Sequence, residues 1–108
     1  MKFITIFLMI FNIILLNEQN ALAADLMKGA QIFNENCAAC HAGGNNAIMP
    51  EKTLKKDILA ENSMDNIDAI KTQVEDGKNA MPAFGGRLSA EEIDNVANYV
   101  INQSKEGW

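Results

Sequence analysis

The chain has 108 residues, room for one small domain, and carries nine basic against fourteen acidic side chains, a formal net charge of −5. That balance argues against a general affinity for nucleic acid or anionic lipid and favours a partner with a basic face. No internal repeat or low-complexity segment is visible.

The first element follows Lys2: "FITIFLMIFNIILL", residues 3–16, an apolar run broken only by Thr5 and Asn12. It falls short of the ~20 residues of a membrane span and fits the apolar core of a secretory signal, with Lys2 as its positive start. Ala21-Leu22-Ala23 is a small-x-small cleavage site, so residues 1–23 read as a signal peptide and residues 24–108 as the exported domain. An uncleaved anchor is the alternative, against which stand the shortness of the run and the quality of the cleavage site. Without Lys2 and Glu18 the domain keeps eight basic and thirteen acidic residues, still −5. Phe33, Phe84, Tyr99 and Trp108 are its only aromatics. A domain this small is marginal on its own burial and calls for a staple, a metal or a cofactor.

Leu26, Gly29, Ile32 and Phe33 recur at helical spacing and predict a first helix from Asp25 to Asn36. "HAGGNNAIMP", from His41, has no periodicity and reads as a loop. A short helix is expected over Leu54–Ala60. Another is expected over Ser63–Asp76, with Ile67, Ile70 and Val74 on one face and Gly77 to end it. "GKNAMPAFGG", Gly77 to Gly86, is a second loop. Ser89 and Glu92 then form a capping box ahead of the stripe Ile93, Val96, Ala97, Val100 and Ile101, the best-signalled helix of the chain. No segment alternates as a strand would. The expectation is an all-α domain of three or four helices with two long loops, and loops of that length need something to wrap around.

Both cysteines and the only histidine fall in "CAACH", Cys37 to His41. A structural zinc site needs four ligands, usually two pairs, and there is no second pair. A thioredoxin-type dithiol opens a helix after a strand, whereas this motif closes a predicted helix. Export also removes a cytosolic thiol-reductase role, though not a structural disulfide. What remains is the attachment signature of a c-type haem. Two intervening residues let both sulfurs reach the two vinyl groups on one porphyrin edge, and His41 is then carried under the ring. Thioether links make the haem part of the fold and supply the apolar bulk that the sequence lacks.

A second strong axial ligand would leave the iron only electron transfer. With no second histidine, thioether sulfur is the candidate. Met27 and Met64 lie in or beside predicted helices, where methionine is usually core filler. Met49 and Met81 lie in loops, each before a proline. Met49 is eight residues from His41 and at ~3.3 Å per residue could just reach round, with little chain left to cover the ring. Met81, forty residues on, leaves room for two helices to pack and return on the opposite face, so spacing favours Met81 over Met49.

"CAACHAGGNNAIMP", "GKNAMPAFGGRL" and the closing "ANYV…S-x-x-GW" together resemble the cytochrome c6 family, over essentially all of residues 24–108. The haem motif is common to all c-type cytochromes; the Met81 loop followed by Arg87 is specific to this group. The resemblance implies a class I cytochrome c fold, helices wrapped around one covalent haem c. It implies a monomeric electron carrier rather than an enzyme, passing electrons from the cytochrome b6f complex to photosystem I in the thylakoid lumen of a plastid or cyanobacterium. Cys37 and Cys40 would be the thioether residues, His41 the proximal and Met81 the distal ligand. Arg87, the only arginine, follows Gly85-Gly86 and is expected near the exposed haem side, as a docking anchor or as a partner of a haem propionate. Two other readings stand beside it, the first of a different class and the second a nearer rival. A haem enzyme or gas sensor would lack a distal base, since His41 is the only histidine. A bacterial periplasmic cytochrome c serving a terminal oxidase or reductase is set apart by the family pattern alone.

Overall fold

The computed structural model describes residues 25–108; the expected signal segment, 1–23, lies outside the described residues. The described residues begin in helix α1, 25–36, whose inner face buries Gly29, Ile32 and Phe33. Met27 points the other way and is 73% exposed, so it is not the core filler expected of a methionine in a helix. It sits about 200° around the helix from Gly29, at the 100° per residue of an α-helix.

Among the described residues the longest element is α5, Ala90–Glu106. Its start is set by the expected capping box: Glu92 N–H donates to Ser89 Oγ at 3.1 Å, and Ser89 N–H donates to Glu92 Oε1 at 2.9 Å. The whole predicted stripe, Ile93, Val96, Ala97, Val100 and Ile101, is buried. Asn95 and Ser104 are buried beside it, and Ser104 Oγ–H donates to the Ile101 carbonyl at 2.7 Å. Helices α1 and α5 meet at Gly29. A Cβ there would overlap the Asn95 carbonyl oxygen and come within 2.7 Å of Tyr99 Cβ. Only a residue without a side chain lets the two backbones approach this closely.

Helix α4, Ile67–Asp76, packs on α5 and adds Ile70 and Val74 to the core. Lys71 and Asp94 pair across the two helices at 3.3 Å, an exposed contact worth at most about 1 kcal/mol. α4 begins four residues later than predicted. Asn66 caps it by accepting Ala69 N–H at 2.8 Å, while Ser63 takes φ +57°, a left-handed conformation outside any helix. Helix α3, Lys56–Glu61, likewise starts two residues after the expected Leu54 and buries Leu59.

Between the predicted first helix and the loop expected from His41, the chain forms a short helix α2, Ala38–His41, and the loop then opens on a 3-10 turn, Ala42–Gly44. α2 continues the path of α1 after a break at Cys37, where φ is −119° and ψ −28°. Four residues show no periodicity, so no sequence pattern could reveal it. The described residues thus hold five α-helices, one 3-10 turn and no strand, only isolated bridges at Lys78–Met81 and Gly85–Leu88. The fold is all-α, as expected.

Candidate haem-attachment site

Cys37 N–H donates to the Phe33 carbonyl at 2.8 Å, and the Cys37 carbonyl accepts from Cys40 N–H at 3.2 Å and His41 N–H at 2.9 Å. The motif is therefore one helical turn hung from the end of α1. Positions i, i+3 and i+4 of a helical turn share a face, which sets both sulfurs and the imidazole on one side of the chain. Both cysteines are half-buried free thiols. Burial pushes the Cys37 thiol up to about 11, which keeps it protonated at neutral pH and unlike the lowered thiolate of a redox dithiol. Among the described residues no three His, Cys, Asp or Glu converge as metal ligands, so a tetrahedral zinc site has no donor set.

His41 Nδ1–H donates to the Asn45 carbonyl at 2.9 Å. A carbonyl only accepts, so this bond places the proton on Nδ1 and leaves the Nε2 lone pair free for a metal. The acceptor comes from just beyond the 3-10 turn that follows the motif.

Met81 is held as firmly. Gly77 ends α4 at φ +72°, and the chain folds back over it so closely that a Cβ would lie 2.7 Å from both the Met81 carbonyl oxygen and Ala83 N. Lys78 N–H donates to the Met81 carbonyl at 3.0 Å and Met81 N–H to the Lys78 carbonyl at 2.9 Å, with Asn79 at φ +53° turning the chain between them. Beyond Pro82 the loop is tied back to α4: Phe84 N–H donates to the Val74 carbonyl at 2.8 Å and Gly85 N–H to that of Glu75 at 3.0 Å. These bonds use carbonyls that a helix end leaves without intrahelical partners. The half-buried Met81 packs against the core, and Gln73 Nε2–H donates to its Sδ at 3.6 Å. One sulfur lone pair is so engaged and the second is left for a soft metal. A groove of about 440 Å³ opens beside it, lined by Met64, Gln73, Gly77 and Lys78 among others.

Met49 is held only through its backbone: its N–H donates to Asn46 Oδ1 at 2.8 Å and its carbonyl accepts from Lys52 N–H at 2.8 Å. It does not join the residues packed on the core, and its neighbour Ile48 is 59% exposed. Arg87 is exposed, with its guanidinium 4.9 Å from the ring centroid of the buried Phe84. That stacking is a contact the sequence did not suggest. The Gln73 amide was missed as well; it lies eight positions from Met81, across a turn that no periodicity reports.

The donor set fits a c-type haem: two unpaired thiols one turn apart, an imidazole with Nε2 free, and a thioether held in a pinned loop. Comparison with known proteins agrees. Residues 24–100 match the family model described as cytochrome c oxidase, cbb3-type, subunit III. A cytochrome c6 of Gracilaria tenuistipitata var. liui is 60% identical over 108 residues, covering all of both chains. That of Pyropia yezoensis is 68% identical over 90 residues, 83% of this chain and 82% of its own. The cytochrome c6 structure from the diatom Phaeodactylum tricornutum superposes with a TM-score of 0.75 at 59% identity, covering 77% of this chain and 98% of that one. The fold is that of a class I cytochrome c. Identity of 60% along the whole of both chains makes the conclusion plain: this chain belongs to the cytochrome c6 family, electron-transfer proteins that carry a single covalent haem c.

Proposed function

We propose that the chain, cleaved after Ala23, is a soluble monomeric carrier in the thylakoid lumen that takes electrons from the cytochrome b6f complex and delivers them to photosystem I. Cys37 and Cys40 form the thioethers, and His41 and Met81 are the axial ligands. The observation that carries the reading is that the chain itself holds both ligand side chains, His41 by the Asn45 carbonyl and Met81 by the Gly77–Gly85 loop and Gln73. Haem c supplies the one-electron couple, and His/Met ligation raises its potential. The protein's part is to hold both donors still, so that little rearranges when the charge changes, and to present a docking face. Among the described residues no helix is long and apolar enough to cross a membrane.

Arg87 belongs to that docking face. Its exposed guanidinium is steadied on Phe84, and a planar fork on an otherwise acidic protein suits a partner carboxylate better than lysine would. Flash-driven oxidation of the reduced protein by isolated photosystem I tests both claims. Fast oxidation is expected, slowed in Arg87→Gln with spectrum and potential unchanged, and the defect should shrink at high salt as screening weakens the wild-type attraction. No transfer to photosystem I, with rapid transfer to a terminal oxidase, would identify a respiratory carrier instead. An Arg87→Gln protein with normal kinetics and a shifted potential would make Arg87 a haem-propionate partner.

A further inference from the structure

Trp108 lies beyond the end of α5, and its hydrogen bond leads back to the middle of the chain. Its indole N–H donates to the Leu54 carbonyl at 2.9 Å, 54 positions away. Leu54 N–H in turn donates to the Gly44 carbonyl at 2.7 Å. Residues 44–54 are thus a loop closed at its neck by one backbone bond, with the indole fastened to the same neck residue. The ring also lies flat enough on Gly44 that a Cβ there would overlap the indole, and Gly44 has φ +76°, so both space and backbone demand glycine. The residue after Gly44 is Asn45, whose carbonyl fixes His41.

The other faces of the indole pack on Phe33, 5.3 Å between centroids, and edge-on to Tyr99 at 6.1 Å. Phe33 is the residue whose carbonyl holds Cys37 N–H. One side chain therefore braces both flanks of the attachment motif. On its other side the loop is tied to the motif by Ala47 N–H, which donates to the Cys40 carbonyl at 2.9 Å, and by Asn45 N–H, which donates to the Ala42 carbonyl at 3.3 Å. A groove of about 360 Å³, lined by Gly43, Asn45, Lys55, Ser104 and Trp108, lies between the loop and the end of α5.

We infer that Trp108 is a positioning residue for the proximal histidine: it clamps the neck of the 44–54 loop so that the Asn45 carbonyl stays on His41 Nδ1. The inference rests on His41 being the haem ligand. Through that bond the clamp sets the orientation and basicity of the imidazole, the property by which an outer partner tunes a metal-bound histidine. Without the indole the neck keeps the Leu54–Gly44 bond and, just inside it, the bond from the Asn46 amide to the Lys52 carbonyl at 3.0 Å, but Gly44 loses the ring packed on it, so the adjacent Asn45 gains freedom and its hold on Nδ1 loosens.

The test uses the haem-loaded protein in its reduced, diamagnetic state. Exchange of the His41 Nδ1 proton is followed by NMR, beside the reduction potential and the denaturation midpoint. Trp108→Ala should speed that exchange by about tenfold or more, the order expected for loss of one net hydrogen bond, and shift the potential. Trp108→Phe keeps the ring packing without the N–H and should give a smaller change of the same sign. Ile93→Val, at the far end of α5, serves as a control that lowers overall stability without touching the loop; it should leave exchange and potential as in the parent. Should Trp108→Ala and Trp108→Phe lower the midpoint while exchange and potential stay unchanged, Trp108 is core filling and the inference fails. Equal acceleration by Ile93→Val would overturn it too. Should the parent protein show no haem-shifted His41 resonances, the fault lies instead in the ligand assignment.

Discussion

Met81 and Met49 are the same residue type, each half-buried and each followed by proline, yet their surroundings differ. Met81 packs on the core and its sulfur accepts from Gln73; Met49 sits beside exposed Ile48 with only its backbone bonded. A ligand that must stay on the iron in both oxidation states needs the first kind of setting, because each unfrozen side chain costs entropy at every binding event. Met81→Ala should therefore abolish the near-infrared charge-transfer band of thioether-ligated ferric haem and lower the potential, while Met49→Ala keeps both. Optical titration of the two variants checks this, and the reverse outcome would hand the role to Met49.

At the scale of elements, the crossing of α1 and α5 holds the attachment motif in place, since α1 ends where Cys37 begins. Two effects compete at Gly29. Alanine is about 1 kcal/mol better than glycine inside a helix. Its methyl, however, would enter the Asn95 carbonyl and crowd Tyr99 Cβ, and backbone cannot step aside as a flexible side chain can. Overpacking of this kind costs roughly 1–3 kcal/mol, so Gly29→Ala should be destabilising despite the gain in propensity. A lower denaturation midpoint with an unchanged haem spectrum is the expected result. The stripes of α1 and α5 were legible because burial imposes a 3.6-residue period on the side chains themselves. What was not legible lacks such a period or depends on distant partners. The four residues of α2 are too few to show one. Ser63 and Asn66 are both good caps by type, and the choice between them was made by the turn after α3, where Ser63 adopts positive φ. Trp108 finds Leu54 only after the chain has folded. Within the site, the residue types and spacing pointed to Cys37, Cys40, His41 and Met81, whereas the groups that set them, the Asn45 carbonyl and the Gln73 amide, carry no signature.

At the scale of the whole molecule, the described residues build a core from eleven buried apolar side chains, only two of them aromatic, which is small for an independent domain. Covalent haem answers that shortage and makes the cofactor impossible to lose by dissociation. Everything proposed here, from the axial pair to the clamp at Trp108, depends on attachment through Cys37 and Cys40. The most direct measurement is the intact mass of the protein purified from its native source, together with extraction in acidic acetone. The account predicts the mass of residues 24–108 plus one haem, with the colour staying on the polypeptide. A haem-free protein of that length whose two cysteines are joined to each other would contradict it.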